Sequence, residues 1–453
     1  MSIEVQQITG TPMLRLTLQL YGAGAWADAM TLSFDKPEEG FASPCSFGYV
    51  PQYLVDNLDA IASPLGRSVS AQIPLGWEPW REDRAPAFLY DLIATPAARR
   101  FLLRQIGHER PDGMGSELFL LARSTAAPIG HMRIKESLAG LHRRPALGFT
   151  REQVVTLDNR FLEYAHEQAA AFGGTASIGD EAPKLLLTEN REGLLYPDAL
   201  LDDAFAARHW WVKFPRNPAS PNACDILRSE FHYYRALQQL GIETLPAPGL
   251  ALEEGRRPSL WMQRFDRRLT PAGVERLAVE SIYSLAGLVG HGQGMRHTEV
   301  LGILADLWRA TGQEASIPEL VADYLRRDLL NRILGNTDNH GRTLSVVRTD
   351  TGVRLAPIHD LAPKIMDDQG IARTTKWPGR MEVAGDVDWR LVCASLKPLL
   401  DPEAALSRLR ADAEQLRALP DLLSAGGLPE ATLNHPRIHL RHLDRRLQEW
   451  GLR

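Results

Sequence analysis

Residues 331–362 read NRILGNTDNHGRTLSVVRTDTGVRLAPIHDLA, and the rest of the chain is read outward from them. The pattern predicts a helix over roughly residues 320–334, stopped at Gly335, the residue type best suited to end one. The polar turn Asn336-Thr337-Asp338-Asn339-His340-Gly341 follows. Two short β-like segments come next, 343–348 and 352–356, around the hairpin signal Thr349-Asp350-Thr351. The second runs into Pro357-Ile358-His359-Asp360. Asp338 and Asp360 thus stand at the two open ends of a hairpin-like unit. A hairpin brings its outer ends together, so the two carboxylates are expected to converge. Phosphoryl transfer uses such a pair: one Asp takes the proton of the acceptor hydroxyl, and a second, past a β-hairpin, holds the metal on the phosphates. The same spacing also describes a polar turn with a surface carboxylate, because Asp is common in turns.

The 453 residues are too many for one core, so two or three domains are expected. With 44% hydrophobic and 24% charged residues, the composition is that of a soluble globular protein. No apolar run reaches the ~18 residues of a membrane span. The opening MSIEVQQITG lacks the basic and apolar regions of a signal peptide, so a cytoplasmic protein is expected. Cys45, Cys224 and Cys393 lie too far apart for a zinc cluster or a disulfide framework. The net charge of −5 argues against wholesale coating of nucleic acid.

The expected architecture is α+β, with three parts: 1–140, 141–266 and 267–453. In the first part, residues 13–20 alternate apolar and polar as a half-buried strand does, and 30–34 are expected to pair with them. Residues 45–50 read as a further strand, 54–61 as a short helix, and 64–75 alternate again. Helices are expected over 87–93 and 97–106, and a strand pair over 117–123 and 129–134. This block is β-rich, and its composition assigns it no chemistry.

In the second part a helix is expected over 151–165. Gly173-Gly174-Thr175-Ala176-Ser177-Ile178-Gly179 then leads to a strand that begins at Lys184. Glycines let backbone N–H groups approach phosphate oxygens, although the stretch is no Walker A sequence and a plain surface loop has the same composition. The strand His209-Trp210-Trp211-Val212-Lys213-Phe214 carries a lysine among apolar residues. A buried ammonium must be paired or functional, and a kinase sets its phosphate-binding lysine on such a strand. An edge-strand lysine with its head in water is the alternative. A helix over 223–240 carries Glu230, placed either to pair with Lys213 or to face solvent. Strands are expected over 245–252 and 259–265, the latter ending in Gln263-Arg264-Phe265-Asp266-Arg267.

The third part is mostly helical by period: 279–289, 298–309, 318–334, 389–399, 402–419 and 436–450. Segment 361–386 is irregular, and its stretch 371–380 holds only basic charges, Arg373, Lys376 and Arg380. It stands where an activation segment belongs, and suits either an acidic partner or plain solvation.

Taken together, Asn336-Thr337-Asp338-Asn339-His340, the Leu355–Asp360 run and Arg264-Phe265-Asp266-Arg267 resemble the signature of HipA-type serine/threonine kinases. The wording around Asn336–Arg342 and Gly370-Ile371-Ala372-Arg373 is similar to the YjjJ-like branch. The resemblance extends over nearly the full chain, with Val69–Leu75 and Pro128–Met132 matching the family's amino-terminal subdomain. It implies a two-lobed protein-kinase-like fold that uses ATP and Mg²⁺. Asp338 would be the catalytic base and Asp360 the metal ligand. Lys184, Lys213, Gln263, Phe265, Asp266 and His340 would contact ATP: Gln263 through its backbone at adenine, Phe265 as a pocket wall, Asp266 at the ribose. His340 reads as a group that orients its neighbours rather than a base. Ser177 inherits an autophosphorylation role. Thr343 departs from the pattern, because the family places a metal-holding Asn five residues after the catalytic Asp. A hydroxyl is the shorter and poorer ligand; Asn339 and His340 are the groups near enough to compensate. The resemblance further implies a toxin of a toxin–antitoxin pair, with a small DNA-binding antitoxin and an aminoacyl-tRNA synthetase substrate, no membrane, and nucleic acid only indirectly. Two other readings stay open at this point: a degenerate kinase that binds ATP and regulates, and a metal-dependent nuclease.

Overall fold

The alternating run near the amino terminus folds as its period dictates. In the computed structural model, which describes residues 6–8, 11–143, 146–172, 184–290 and 292–453, Thr11–Gly22 pairs antiparallel with Ala25–Phe34. Leu14, Leu16, Leu18 and Leu20 all point into a buried core. Cys45–Tyr49 and Trp80–Glu82 extend the sheet on one side, and Met132–Ile134 adds to Thr11–Gly22 on the other. Two expectations fail in this block. Residues 117–123 form a helix, Ser116–Arg123, rather than a strand. Residues 118–123 are all buried, and an element covered on every side carries no periodicity to separate helix from strand. Residues 64–75 form no strand either, only the isolated bridges Ile61↔Leu75 and Ser70↔Ile73.

The next part holds a five-stranded antiparallel sheet in the order Ala251–Glu253, Ser259–Gln263, Ala206–Lys213, Lys184–Asn190, Leu195–Pro197. The first of these is shorter than the run expected over 245–252. The helix expected over 151–165 is two, Arg151–Val155 and Asn159–Glu167, divided at Leu157, whose φ is +52°. Helix Pro221–Gln239 packs on the sheet, started by the Ser220 hydroxyl, which accepts from Ala223 N at 3.2 Å.

The remainder is mainly helical, with one three-stranded sheet at its centre. Ser345–Arg348 pairs with Val353–Leu355 as the hairpin reading requires, and with Ala278–Ser281 on its other side. The helix expected over 279–289 is therefore corrected to a strand followed by the short helix Ile282–Leu285. Pairing to the hairpin satisfies backbone groups that a helix would have satisfied internally. Helix Ile317–Ile333 ends before Gly335, whose φ of +70° suits glycine; a Cβ there would lie 2.8 Å from both Ile365 and Ile438. No helix among the described residues is long and apolar enough to cross a membrane.

Loop 64–71 of the amino-terminal block clasps the central hairpin. The Arg348 guanidinium, fully buried, donates to the carbonyls of Pro64, Leu65, Ser68 and Val69 and to the Ser68 hydroxyl. Its Nε lies 3.0 Å from Glu280 Oε2. Glu280 in turn accepts from Ser70 Oγ at 2.5 Å, Ala71 N at 2.9 Å and Ser284 Oγ at 2.7 Å. Asp91 adds a second tie by accepting from the Ser281 N–H and hydroxyl. The two buried charges thus face each other, and each is held by further hydrogen bonds, the condition under which burying an ion pair is tolerated.

Candidate active site

A cleft of about 470 Å³ lies between the five-stranded sheet and the helical part. Lys213 ends the strand Ala206–Lys213 and is buried at the base of this cleft. Its Nζ lies 2.5 Å from Glu230 Oε1 and is hydrogen-bonded to Asp360 Oδ1. Burial works against the ammonium, but the two carboxylates outweigh it and hold the lysine charged, above its ordinary range. Glu230 is buried as well, so the pairing alternative is the one the fold realises. Tyr234, four residues further along the helix, donates to Glu230 Oε1 at 2.6 Å and accepts from Leu361 N at 3.3 Å. It thereby ties the helix to the residue after Asp360.

Asp360 sits at φ +54°, a left-handed conformation that Asp adopts more readily than most residues. Lys184, directly opposite Lys213 in the sheet register, places Nζ 3.4 Å from the same Asp360 oxygen. Burial raises the Asp360 carboxyl, yet Lys184 and Lys213 together hold it well below the usual carboxylate range. Asp338 lines the same cleft, on the turn that Asn336 braces. The Asn336 side-chain oxygen accepts from Asp338 N at 3.2 Å, and its amide nitrogen donates to Asn331 Oδ1 at 2.9 Å and to Asp360 O at 3.5 Å. The two ends of the hairpin do converge on one cavity.

His340 Nδ1 accepts from Arg342 N at 3.2 Å, which leaves its proton on Nε2, 3.4 Å from Asp338 Oδ1. Burial pushes the ring's pKa down, outweighing the pull of Asp338. That geometry sets the His340 ring beside the Asp338 carboxylate. Thr343 also lines the cleft, but its hydroxyl donates to the carbonyls of His340 (2.8 Å) and Asp338 (3.2 Å). Its hydrogen is spent on the turn, and only lone pairs remain to face a cation. Asn339 faces away from this role: its amide bonds Thr375 O and Thr374 N. Ser345 lines the cleft two residues beyond Thr343.

Phe265 forms part of the wall and stacks on His359 with ring centres 5.2 Å apart. Asp266 is not brought to the cleft. It is fully buried, with Oδ1 taken by Arg264 Nε (2.9 Å) and Oδ2 by Arg264 Nη2 (2.6 Å), Arg267 Nη1 (2.6 Å) and Gly130 N (2.7 Å). Arg264 continues the network to Asp198 at 2.9 Å. A carboxylate saturated in this way braces the junction of three chain segments and has no oxygen left for a ribose. Gln263 ends its strand paired with Trp210 and is absent from the cleft lining. Ser177 lies outside the described residues.

The sequence reading overlooked a third wall. Asp91, Ile93, Thr95, Pro96 and Arg100, all from the amino-terminal block, line the cleft together with Arg342. Nothing in their local pattern marks them, since only the clasp brings them there. Tyr234 was overlooked too, although a tyrosine four residues after Glu230 on a helix is a readable signal.

Among the described residues no group of three or more His, Cys, Asp or Glu is placed to hold a metal. Magnesium on a nucleotide needs fewer, because it keeps waters and takes phosphate oxygens. The hard oxygens of Asp360 and Thr343 are of the donor type that ion takes.

This fold and cleft are those of a two-lobed, protein-kinase-like α+β protein. Residues 176–418 match the HipA-like C-terminal domain, more than half of the chain, and the chain belongs to that family. Among solved structures it is similar to HipA of Shewanella oneidensis MR-1, described in complex with HipB and its operator DNA, with 19% identity, 96% of this chain and 97% of that one covered, and a TM-score of 0.63. A further match is the Helicobacter pylori proinflammatory kinase CtkA, with 13% identity, 53% of this chain and 87% of that one covered, and a TM-score of 0.33. A comparison with curated protein sequences finds no match.

Proposed function

We propose that the chain is an ATP-dependent serine/threonine protein kinase of the HipA type. The observation behind this reading is the buried Lys213 held between Glu230 and Asp360, at the base of the cleft that also takes in Asp338. A protein kinase needs that lysine–glutamate pair, a metal-holding Asp and a base at one place. Lys213 and Lys184 would bind the phosphates, which requires them to exchange Asp360 for phosphate oxygens. Asp360, with Thr343, would hold magnesium, which supplies neutralisation of charge on the phosphates. Asp338, oriented by His340, would accept the proton of the acceptor hydroxyl as its oxygen bonds to the γ-phosphorus and the bridging P–O bond breaks. Phe265 and His359 would form the apolar floor.

By its likeness to a HipA solved with HipB and operator DNA, we assign the chain to the toxin side of such a pair, with an antitoxin as partner; an aminoacyl-tRNA synthetase as the acceptor class is carried over only from the family resemblance of its motifs. Thr343 favours a second reading, a kinase that binds ATP without transferring phosphate. Incubation with γ-labelled ATP and magnesium, alone and with cell extract, separates the two. Label on the chain or on an extract protein supports the kinase; ATP binding with no label in either fraction gives the degenerate reading.

A further inference from the structure

Segment 361–386 leaves the cleft at Asp360 and is held by charges buried beneath it. Asp328, on helix Ile317–Ile333, is 2% exposed and accepts three donors. They are Arg332 Nε at 3.1 Å from its own helix, and Arg373 Nη2 at 2.7 Å and Trp377 Nε1 at 2.8 Å from the segment. Glu382 Oε2 accepts from Arg332 Nη2 and from Trp377 N, both at 2.9 Å. Arg332 Nη1 donates to Gly385 O at 2.9 Å. The buried Trp377 ring stacks on His297 with centres 4.7 Å apart. The anchored strand then meets the catalytic turn. Asn339 Nδ2 donates to Thr375 O at 2.8 Å, its Oδ1 accepts from Thr374 N at 3.2 Å, and Thr375 pairs with Met295. Asn339 directly follows Asp338.

Many kinases order this segment by adding a phosphate to it and pairing that phosphate with arginines. Here Arg332 and Arg373 already share Asp328, and Glu382 balances the second charge. We propose that Asp328 is a positioning residue that sets the segment and, through Asn339, the turn bearing Asp338, so that the site is assembled with the segment unphosphorylated. The proposal rests on the kinase reading above and names its regulation.

The test uses the full-length chain, with Asp328→Asn and Arg373→Gln as variants. Arg373→Gln cuts the lock from the segment side and leaves the helix intact. It therefore decides the matter if Asp328→Asn fails to fold. Each variant is read by amide hydrogen exchange over 336–343 and 371–385, by ATP affinity, and by kcat and KM for the acceptor. Losing a charge-assisted hydrogen bond should speed exchange in both stretches by about tenfold or more. Transfer should fall by a similar factor while ATP affinity stays within about twofold of the parent. Phosphatase treatment of the parent should leave its exchange pattern and transfer unchanged. Unchanged exchange at 336–343 in the variant that folds overturns the proposal, as does loosening of either stretch in the phosphatase-treated parent. If the parent transfers no phosphate at all, the kinase reading falls alone, and the exchange measurements still decide whether Asp328 sets the turn.

Discussion

Lys213→Met removes the charge at the centre of the cleft and keeps most of the aliphatic stem. Glu230 would be left buried with only the Tyr234 hydroxyl, 2.6 Å away, whereas Asp360 keeps Lys184 at 3.4 Å. Removing one partner of a buried pair costs about 3–5 kcal/mol, and the remaining hydrogen bond to Glu230 offsets about 1 kcal/mol of that. The expected destabilisation is about 2–4 kcal/mol, set against a typical total of about 5–15 kcal/mol. The variant should fold and melt roughly 2–4 °C lower, the shift such a loss gives in a chain of 453 residues unfolding as one unit. Adding Glu230→Gln removes the stranded charge, so the double variant should regain about 1–2 kcal/mol over the single one. Both should bind ATP about tenfold or more weakly, since a contact to charged phosphate is lost. Thermal unfolding and calorimetric ATP titration measure the two effects separately. A Lys213→Met protein that melts with the parent, or a double variant less stable than the single, would refute the account of this lysine as a buried charge clamp.

Asp338→Asn should leave ATP affinity within about twofold and cut transfer by about 10²–10⁴, the usual share of a general base; full transfer in that variant removes Asp338 from the role. Thr343→Asn should raise transfer at low magnesium, because an amide oxygen reaches further than a hydroxyl whose hydrogen is bound within the turn. A parent already saturated at low magnesium, with no gain in the variant, places the metal elsewhere. Burial, with Arg373 and Arg332 adding to it against Asp328, pushes His297 down to about 4, below the ~6.5 of an unfolded chain. A depressed folded value means that its stabilisation is present above ~6.5 and is lost as pH falls towards the folded value. The thermal midpoint should therefore drop between pH 6.5 and 4, and His297→Phe should flatten part of the drop. A midpoint that is the same at pH 7 and 5 contradicts this.

Much of the site was legible because it is local. The hairpin, the helix stop at Gly335 and the lysine inside an apolar strand all follow from residues close in sequence. Lys213 and Asp360 were readable singly; their contact spans 147 positions, and no period announces it. Asp266 shows the reverse error. A carboxylate in a charged string invites a ligand role, but its oxygens are taken by Arg264, Arg267 and Gly130, and the glycine comes from a bend 136 positions earlier in the chain. Residues 117–123 and 279–289 were misread because a run buried on all sides, or a short strand followed by a short helix, leaves no clean period.

The clasp on Arg348 also fixes an order of events during synthesis. Its acceptors in loop 64–71 leave the ribosome about 280 residues before the arginine does. At ~5–20 residues per second, that interval is on the order of tens of seconds. Through it the amino-terminal sheet has time to fold, while carbonyls meant for Arg348 face water and Glu280 arrives to wait for its cation. The hairpin that separates Asp338 from Asp360 then docks onto a surface already made. A nascent chain halted before residue 348 would hold the strands that carry Lys184 and Lys213 but no assembled cleft, so the cavity cannot close until about three-quarters of the chain has been made.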